Sequence, residues 1–301
     1  MNGVIVINKE QEFTSFDVVA VVRKTLHTKK VGHCGTLDPN ATGVLPVLLG
    51  NATKAQDIIP DHDKAYTANF KLGVKTDTLD VWGEVLEEKA SAVTFEQLKS
   101  ACEQFTGEIM QTPPMYSAVQ KDGVRLYELA RQGIEIEREA RKITVYTLEL
   151  LSFDEETQEG SLSVSCSKGT YIRQLIADIA ESVGTVGMMT ALIRTTACGF
   201  TLSDAITLEQ LKALSESGEV ESKLLSTQSL FVRYRALKVS DKQATRFYNG
   251  NPLDINRTAL RDMNYADGEI FRVFDANGDF LGLGIIVEEK AVLKIYKHFE
   301  K

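Results

Sequence analysis

Gly32-His33-Cys34-Gly35-Thr36-Leu37-Asp38-Pro39-Asn40-Ala41-Thr42-Gly43 interrupts the chain between two apolar runs. Three glycines and a proline in twelve residues impose a loop whose backbone other residues would not tolerate. A single carboxylate, Asp38, sits inside it, and the following Pro39 biases Asp38 toward extended geometry. Taken alone, an Asp-Pro pair is ordinarily a tight turn in which the aspartate bonds its own backbone.

The flanks of this loop read as regular structure. Val4 to Ile7 is a short apolar run, the pattern of a buried strand. Thr14-Ser15-Phe16-Asp17 forms a capping box, predicting a helix from about Phe16 to His27 with Val18, Val19, Val22 and Leu26 inward. Periodicity stops from Lys29 to Gly43 and resumes as a buried strand over Val44 to Leu49, after which Asn51 is expected to cap a short helix carrying Lys54.

Further out, strands are predicted at Tyr66–Leu72, Arg141–Phe153 and Ser161–Ser167, with a turn at Thr76–Gly83 and irregular chain over 110–123. Helices are predicted from Thr94 to Phe105, Arg125 to Gly133, Tyr171 to Val183 and Thr207 to Ser215, and extended chain at Leu192–Thr196. Residues 215–229 have the composition of a linker. Beyond it, short strands at Ala236–Val239, Glu269–Phe274, Phe280–Val287 and Val292–Tyr296, with a turn at Asp275–Gly278, predict a small β-rich barrel.

The chain has 301 residues, 43% hydrophobic and 25% charged, which predicts about two globular domains without disulfides or metals. No run approaches the roughly 20 apolar residues of a membrane span, and no secretory leader is recognised. Cys34, Cys102, Cys166 and Cys198 form no CxxC pair and lie at no zinc-ligand spacing, so reduced thiols and a cytoplasmic location are expected. The net charge of -8 speaks against a nucleic-acid partner, but the acidity is local: residues 1–60 and 234–301 each carry +1, and the middle of the chain holds -10.

The full string Gly-His-x-Gly-Thr-Leu-Asp-Pro-x-Ala-Thr-Gly-Val-Leu-Pro resembles the signature of the TruB-type tRNA pseudouridine synthases. The resemblance recurs in order. It continues through Lys64-Ala65-Tyr66, Leu72-Gly73, Thr76–Asp80, Gln111–Ala118 and Tyr127–Gly133, then Cys166–Arg173 and Leu192-Ile193-Arg194, covering most of residues 1–200. The tail is similar, more weakly, to a PUA-like RNA-binding barrel. The resemblance implies an α+β pseudouridine synthase fold, a mixed, mostly antiparallel sheet flanked by helices, over 1–230, with the PUA-like domain over 235–301. It implies isomerisation of uridine 55 in the TΨC loop of tRNA, assistance to tRNA folding, and no metal or organic cofactor. A monomer is expected, with no membrane partner.

The reaction explains the residue types. The N1–C1′ bond breaks, the uracil turns, C5 bonds to C1′ and the C5 proton is lost. A carboxylate can assist by attacking the sugar or the ring, or by taking a sugar proton; the residues leave these routes open. Asp38 matches the family's catalytic aspartate. Arg173 matches an active-site arginine, whose fork can hold a carboxylate bidentately. Tyr66 matches the tyrosine that stacks on the target base, its phenol a candidate acceptor for the C5 proton. Tyr171 and Leu192 match pocket-lining residues, His33 one that enters the RNA loop beside the flipped base, and Asp80 an acid near the RNA. Phosphate contacts are expected from Lys29 and Lys30, with Arg23 and Lys24, and from Lys9, Lys54, Lys64 and Lys168. Pro114, Tyr116 and Ser117 are expected to shape the cleft floor.

Departures from the family pattern are Gln120 in place of a lysine, Ala180 in place of a glycine, and Met188-Met189 after Gly187. Two other readings stand beside this one. A non-catalytic RNA-binding or tRNA-folding protein would not need both Asp38 and Arg173. A carboxylate-dependent hydrolase would need a second acid, for which Asp77 and Asp80 are the nearby candidates.

Overall fold

A computed structural model describes residues 1–299. In chain order its elements are β1 (Gly3–Lys9), α1 (Ser15–Thr25), β2 (Val31–His33), β3 (Thr42–Leu49), β4 (Lys64–Leu72), the hairpin β5 (Val74–Thr76) and β6 (Val85–Glu88), and α2 (Phe95–Gln104). They continue with β7 (Gly107–Gln111), the hairpin β8 (Gln120–Lys121) and β9 (Val124–Arg125), α3 (Leu126–Ala130), β10 (Arg141–Asp154), β11 (Glu159–Cys166), α4 (Ile172–Ser182), β12 (Gly187–Ala197), β13 (Phe200–Thr201) and α5 (Leu208–Ser217). The tail adds β14 (Arg235–Lys238), α6 (Asp241–Tyr248), β15 (Leu253–Asp254), β16 (Ile270–Phe274), β17 (Phe280–Val287) and β18 (Val292–Lys297).

The main sheet runs β1-β3-β12-β4-β11-β10-β7, with β2 added to β3 and β13 to β12. Every pairing in it is antiparallel except β3 with β12, which meet at Thr42–Ile193 and Gly43–Arg194. This is the α+β sheet that the family resemblance implies. β1 covers one edge of β3 along its length, so β2 and β12 share the other edge, and the Asp38 loop emerges between them.

β1 reads as a continuous apolar run because both of its faces are buried. Ile5 and Ile7 pack with Val18, Val22 and Leu211 of α1 and α5, whereas Val4 and Val6 face Leu230, Phe231, Leu283 and Phe299. α2 and α4 cover the rest of the sheet, with Leu98, Leu175, Ile176 and Ile179 set against Ala68, Phe70, Val145, Leu162 and Val164. Burying a side chain of this size stabilises the fold by about 1.5–3 kcal/mol each. The Thr14–Asp17 and Thr94–Gln97 capping boxes form as the sequence predicts, and Thr207–Gln210 and Ser240–Gln243 repeat the device.

The structure corrects the local reading in several places. The loop predicted from Lys29 contains β2, because Val31 to His33 pair with Leu49 to Val47. Asn51 does not cap a helix: the short 3-10 turn spans Gly50–Ala55, Leu49 precedes it, and Asn51 lies inside. Residues 215–229 are no linker. α5 runs to Ser217, Val220 is buried, and Leu225 exchanges backbone hydrogen bonds with Val4 (2.8 Å each way). In the tail, α6 and β15 were not expected. The five strands run β14-β16-β17-β18-β15, a curled half-barrel whose end strands do not pair among the described residues.

Candidate active site

The Asp38 loop is held by its backbone carbonyls. Arg194 donates through Nη2 to the Gly35 carbonyl and through Nη1 to the Thr36 carbonyl, both 3.1 Å. Ser15 Oγ donates to the Leu37 carbonyl (3.1 Å) and accepts from the Leu37 N–H (2.9 Å). The Ala41 N–H closes a turn on the Asp38 carbonyl (3.1 Å), and Lys9 Nζ reaches the Pro39 carbonyl (2.8 Å). Five consecutive carbonyls, Gly35 to Pro39, therefore have named donors, which leaves the loop no inexpensive alternative conformation.

The clamp explains two of the glycines. Gly35 lies at φ +82°, and Gly43 at φ +108° has its Cα against the Arg194 backbone; an added Cβ at Gly43 would stand 2.2 Å from the Arg194 carbonyl oxygen. Arg194 itself is completely buried and also donates through Nε to the Val44 carbonyl (2.8 Å). Among the described residues it has no carboxylate partner. Three carbonyl dipoles offset its burial, which otherwise costs several kcal/mol.

The clamp leaves the Asp38 carboxylate half in solvent, 49% exposed, facing Arg173, which is only 8% exposed. Arg173 Nη2 lies 3.1 Å from Asp38 Oδ2, while Nε is 3.8 Å from Asp80 Oδ2. The sequence suggested a bidentate pair; instead the guanidinium is divided between two carboxylates. Its other donors reach the Thr78 carbonyl (2.8 Å) and the Tyr116 carbonyl (3.1 Å). Those two loops fix the plane of the fork, and Asp38 is reached from a preset direction.

Asp80 divides its two carboxylate oxygens between the turn and Arg173. Its Oδ1 shapes the turn, accepting from Thr78 Oγ1 (2.7 Å) and the Trp82 N–H (3.2 Å), while Oδ2 faces Arg173. Asp77 is committed elsewhere, accepting from Tyr116 Oη (2.9 Å) and the Glu84 N–H (2.8 Å). It is thus not placed as the second acid that a hydrolase would need.

Tyr66, Ala68, Phe70 and Leu72 share the buried face of β4, and Tyr66 and Leu192 fall in one cluster with Leu37 and Ile172. Burial pushes the Tyr66 phenol up to about 12; the nearby Arg194 guanidinium pulls the other way and loses. At neutral pH the phenol keeps its proton, which suits a stacking ring better than a base. Tyr171 precedes α4, and the Gln111 amide fixes its backbone twice, accepting from Tyr171 N–H (2.8 Å) and donating to its carbonyl (3.1 Å).

His33 ends β2, nearly buried, with Phe16 edge-on at 5.5 Å between ring centroids. Its Nδ1 is buried without a hydrogen-bond partner. Burial, then the Arg194 charge, lowers its pKa, so the imidazole is neutral at pH 7.

The lysines separate into two groups. Lys29, Lys30, Lys54 and Lys168 are exposed. Lys9, expected to touch phosphate, is fully buried, and its ammonium donates to the carbonyls of Glu10, Phe13 and Pro39. That expectation is corrected: Lys9 is a strut of the Asp38 loop. Burial pulls its pKa down to about 8, against the opposing pull of Asp38. Lys64 is partly buried, its Nζ on the His62 carbonyl (3.0 Å) and its stem beside Gly35.

Sequence does not reveal the parts played by Arg194, Ser15 and Gln111. The available signal was an arginine ending an apolar strand and a serine inside a capping box, neither of which reveals a partner some 20 to 160 residues away. Among the described residues no three His, Cys, Asp or Glu side chains are grouped to hold a metal.

The mixed sheet with its half-barrel tail matches solved structures over nearly the whole chain. A chain of a Cbf5-Nop10-Gar1 complex aligns with TM-score 0.75 at 24% identity, covering 99% of this chain and 85% of that one. A chain of an H/ACA RNP bound to a substrate RNA aligns with TM-score 0.75 at 22% identity, with the same coverage. The architecture is the pseudouridine synthase fold with a PUA-like sheet.

Residues 23–172 match the TruB family pseudouridylate synthase N-terminal domain, 173–229 the tRNA pseudouridylate synthase B C-terminal domain, and 237–293 a PUA-like domain. The tRNA pseudouridine synthase B of Clostridium perfringens is 46% identical over 285 residues, spanning 94% of this chain and 95% of its own. That of Stutzerimonas stutzeri is 41% identical over 292 residues, spanning 96% and 93%. The chain belongs to the TruB family of pseudouridylate synthases.

Proposed function

We propose that this protein isomerises uridine 55 in the TΨC loop of tRNA to pseudouridine. The observation that carries the reading is Asp38: a half-exposed carboxylate on a loop with five clamped carbonyls, facing a buried Arg173. Its relatives of 41–46% identity are named tRNA pseudouridine synthase B.

In this reading the target base leaves its stack and enters beside Tyr66, with Leu192 and Tyr171 as walls. Asp38 engages the sugar or the ring while N1–C1′ breaks. The uracil turns, C5 bonds to C1′, the C5 proton passes to solvent through a base, and N1 gains a proton, so the product is an isomer. Arg173 positions Asp38, and Asp80 steadies Arg173 from the other side. His33 occupies the space beside the flipped nucleotide. Lys29, Lys30 and Lys54 hold phosphates.

We divide the chain into a catalytic unit, 1–230, and a PUA-like unit, 235–301. The enzyme acts as a cytoplasmic monomer, a setting that suits four unpaired thiols. Among the described residues no helix is long and apolar enough to cross a membrane. Tritium release from a tRNA transcript labelled at uracil C5, followed by mapping of the modified position, tests the reading. Release with pseudouridine at position 55 supports it. Tight binding without release would favour a tRNA-binding or folding role instead.

A further inference from the structure

α1 presents an outer stripe of Phe16, Ala20, Arg23 and Lys24, all exposed and spaced at i, i+4, i+7 and i+8. Phe16 is 72% exposed, more than any other large apolar side chain described. A phenyl ring left in water forgoes the stabilisation of burial, yet this one is held in place. The Thr14–Asp17 capping box fixes the helix start around it, and the His33 ring meets it edge-on at 5.5 Å. Its neighbour Ser15 holds both backbone groups of Leu37, so Phe16 stands one residue from the loop that carries Asp38.

Charge continues the stripe. Residues 16–30 hold four Lys or Arg against the single acid Asp17, in a chain of net charge -8. Asp17 is occupied in the capping box, and Ala20 leaves the middle of the stripe low. An aromatic face followed by a basic track is the arrangement that takes an unpaired nucleobase and the phosphates after it.

We propose that Phe16 is a stacking platform for an unpaired base of the RNA substrate, next to the nucleotide that enters the Asp38 site, and that α1 guides the adjoining backbone. This rests on the function proposed above and adds a substrate-binding residue to it.

The test compares Phe16→Ala, Phe16→Leu and Phe16→Tyr by tRNA binding across a salt series and by steady-state tritium release. Loss of one base–aromatic stack weakens binding about 5- to 100-fold. Phe16→Ala and Phe16→Leu are expected to show that loss in Kd and KM with kcat retained. Phe16→Tyr should remain within about twofold, and the salt slope should not change, since no phosphate contact is removed. Equal unfolding temperatures would confirm that all variants fold.

Wild-type affinity in Phe16→Ala overturns the inference, as does Phe16→Leu binding like wild type, because an aliphatic contact would then suffice. A variant that loses self-association instead of RNA affinity would assign the face to a second copy of the chain and overturn it too. If wild-type protein neither binds nor modifies tRNA, the proposed function fails first; if wild type is active and Phe16→Ala is unaltered, only this inference fails.

Discussion

Asp38 and Arg173 differ in what they risk. Asp38 is half exposed and contributes little to packing, so Asp38→Asn should leave stability and tRNA affinity within a few-fold while abolishing tritium release. Turnover near wild type would reject the assigned role. His33 carries a different signature. Its folded pKa lies below the unfolded value of about 6.5, so at pH 7 and above it contributes no pH dependence to stability. As pH falls below that value the unfolded chain gains a proton that the folded one resists, and stability declines. The unfolding temperature of wild type should therefore drop more between pH 7 and pH 5 than that of His33→Gln. Equal drops would place the pH dependence elsewhere.

At the scale of elements, the Asp38 loop between β2 and β3 is clamped to β12. Among the described side chains Arg194 alone spans Gly35, Thr36 and Val44, through three separate nitrogens, whereas a lysine there would carry all its donors on one nitrogen and could not reach carbonyls so spread. Arg194→Lys should cost at least about 2 kcal/mol in urea unfolding, because a buried acceptor left unpaired costs ~1–3 kcal/mol. It should also lower kcat by about 100-fold through misplacement of Asp38. Unchanged kcat at reduced stability would separate the clamp from catalysis. Gly43→Ala is more severe, since its Cβ has no room at the Arg194 backbone and the φ of +108° disfavours any side chain. Little or no soluble folded protein is the expected outcome in an expression trial.

For the whole molecule, charge and packing set the two remaining expectations. Lys29 and Lys30 project from the turn before β2, on the same side of the sequence as the α1 stripe. Neutralising both should weaken tRNA binding and reduce the salt slope by about 1.5, as expected for two lost phosphate contacts; an unchanged slope would remove them from the interface. The half-barrel is not an independent appendage. Leu283 and Phe299 pack with Val4, Val6 and Phe231, so the tail completes the second face of β1. Removing residues 235–301 should lower the unfolding temperature by several degrees and promote aggregation, because that apolar face would meet water. A truncated chain as stable as the whole would show that the shared cluster is dispensable.

Short-range chemistry made much of this protein legible from its sequence. The capping boxes at Thr14 and Thr94, the apolar runs of β1 and β3, and the glycine-rich loop around Asp38 all depend on residues within a few positions of each other. The family resemblance, carried by separate short strings, marks Asp38 and Arg173 as candidates from local sequence alone. What the tertiary structure alone decided is where donors and acceptors far apart in sequence meet. Lys9 reads as a surface cation and is a buried strut, because Phe13 and Pro39 bring their carbonyls to it. Residues 215–229 read as a linker and form part of the core, because Val220 is buried beside Leu211 and Leu225 finds Val4. Composition records that a side chain is polar or apolar; whether the fold spends it on water, on a carbonyl or on a core depends on partners that only chain topology brings together.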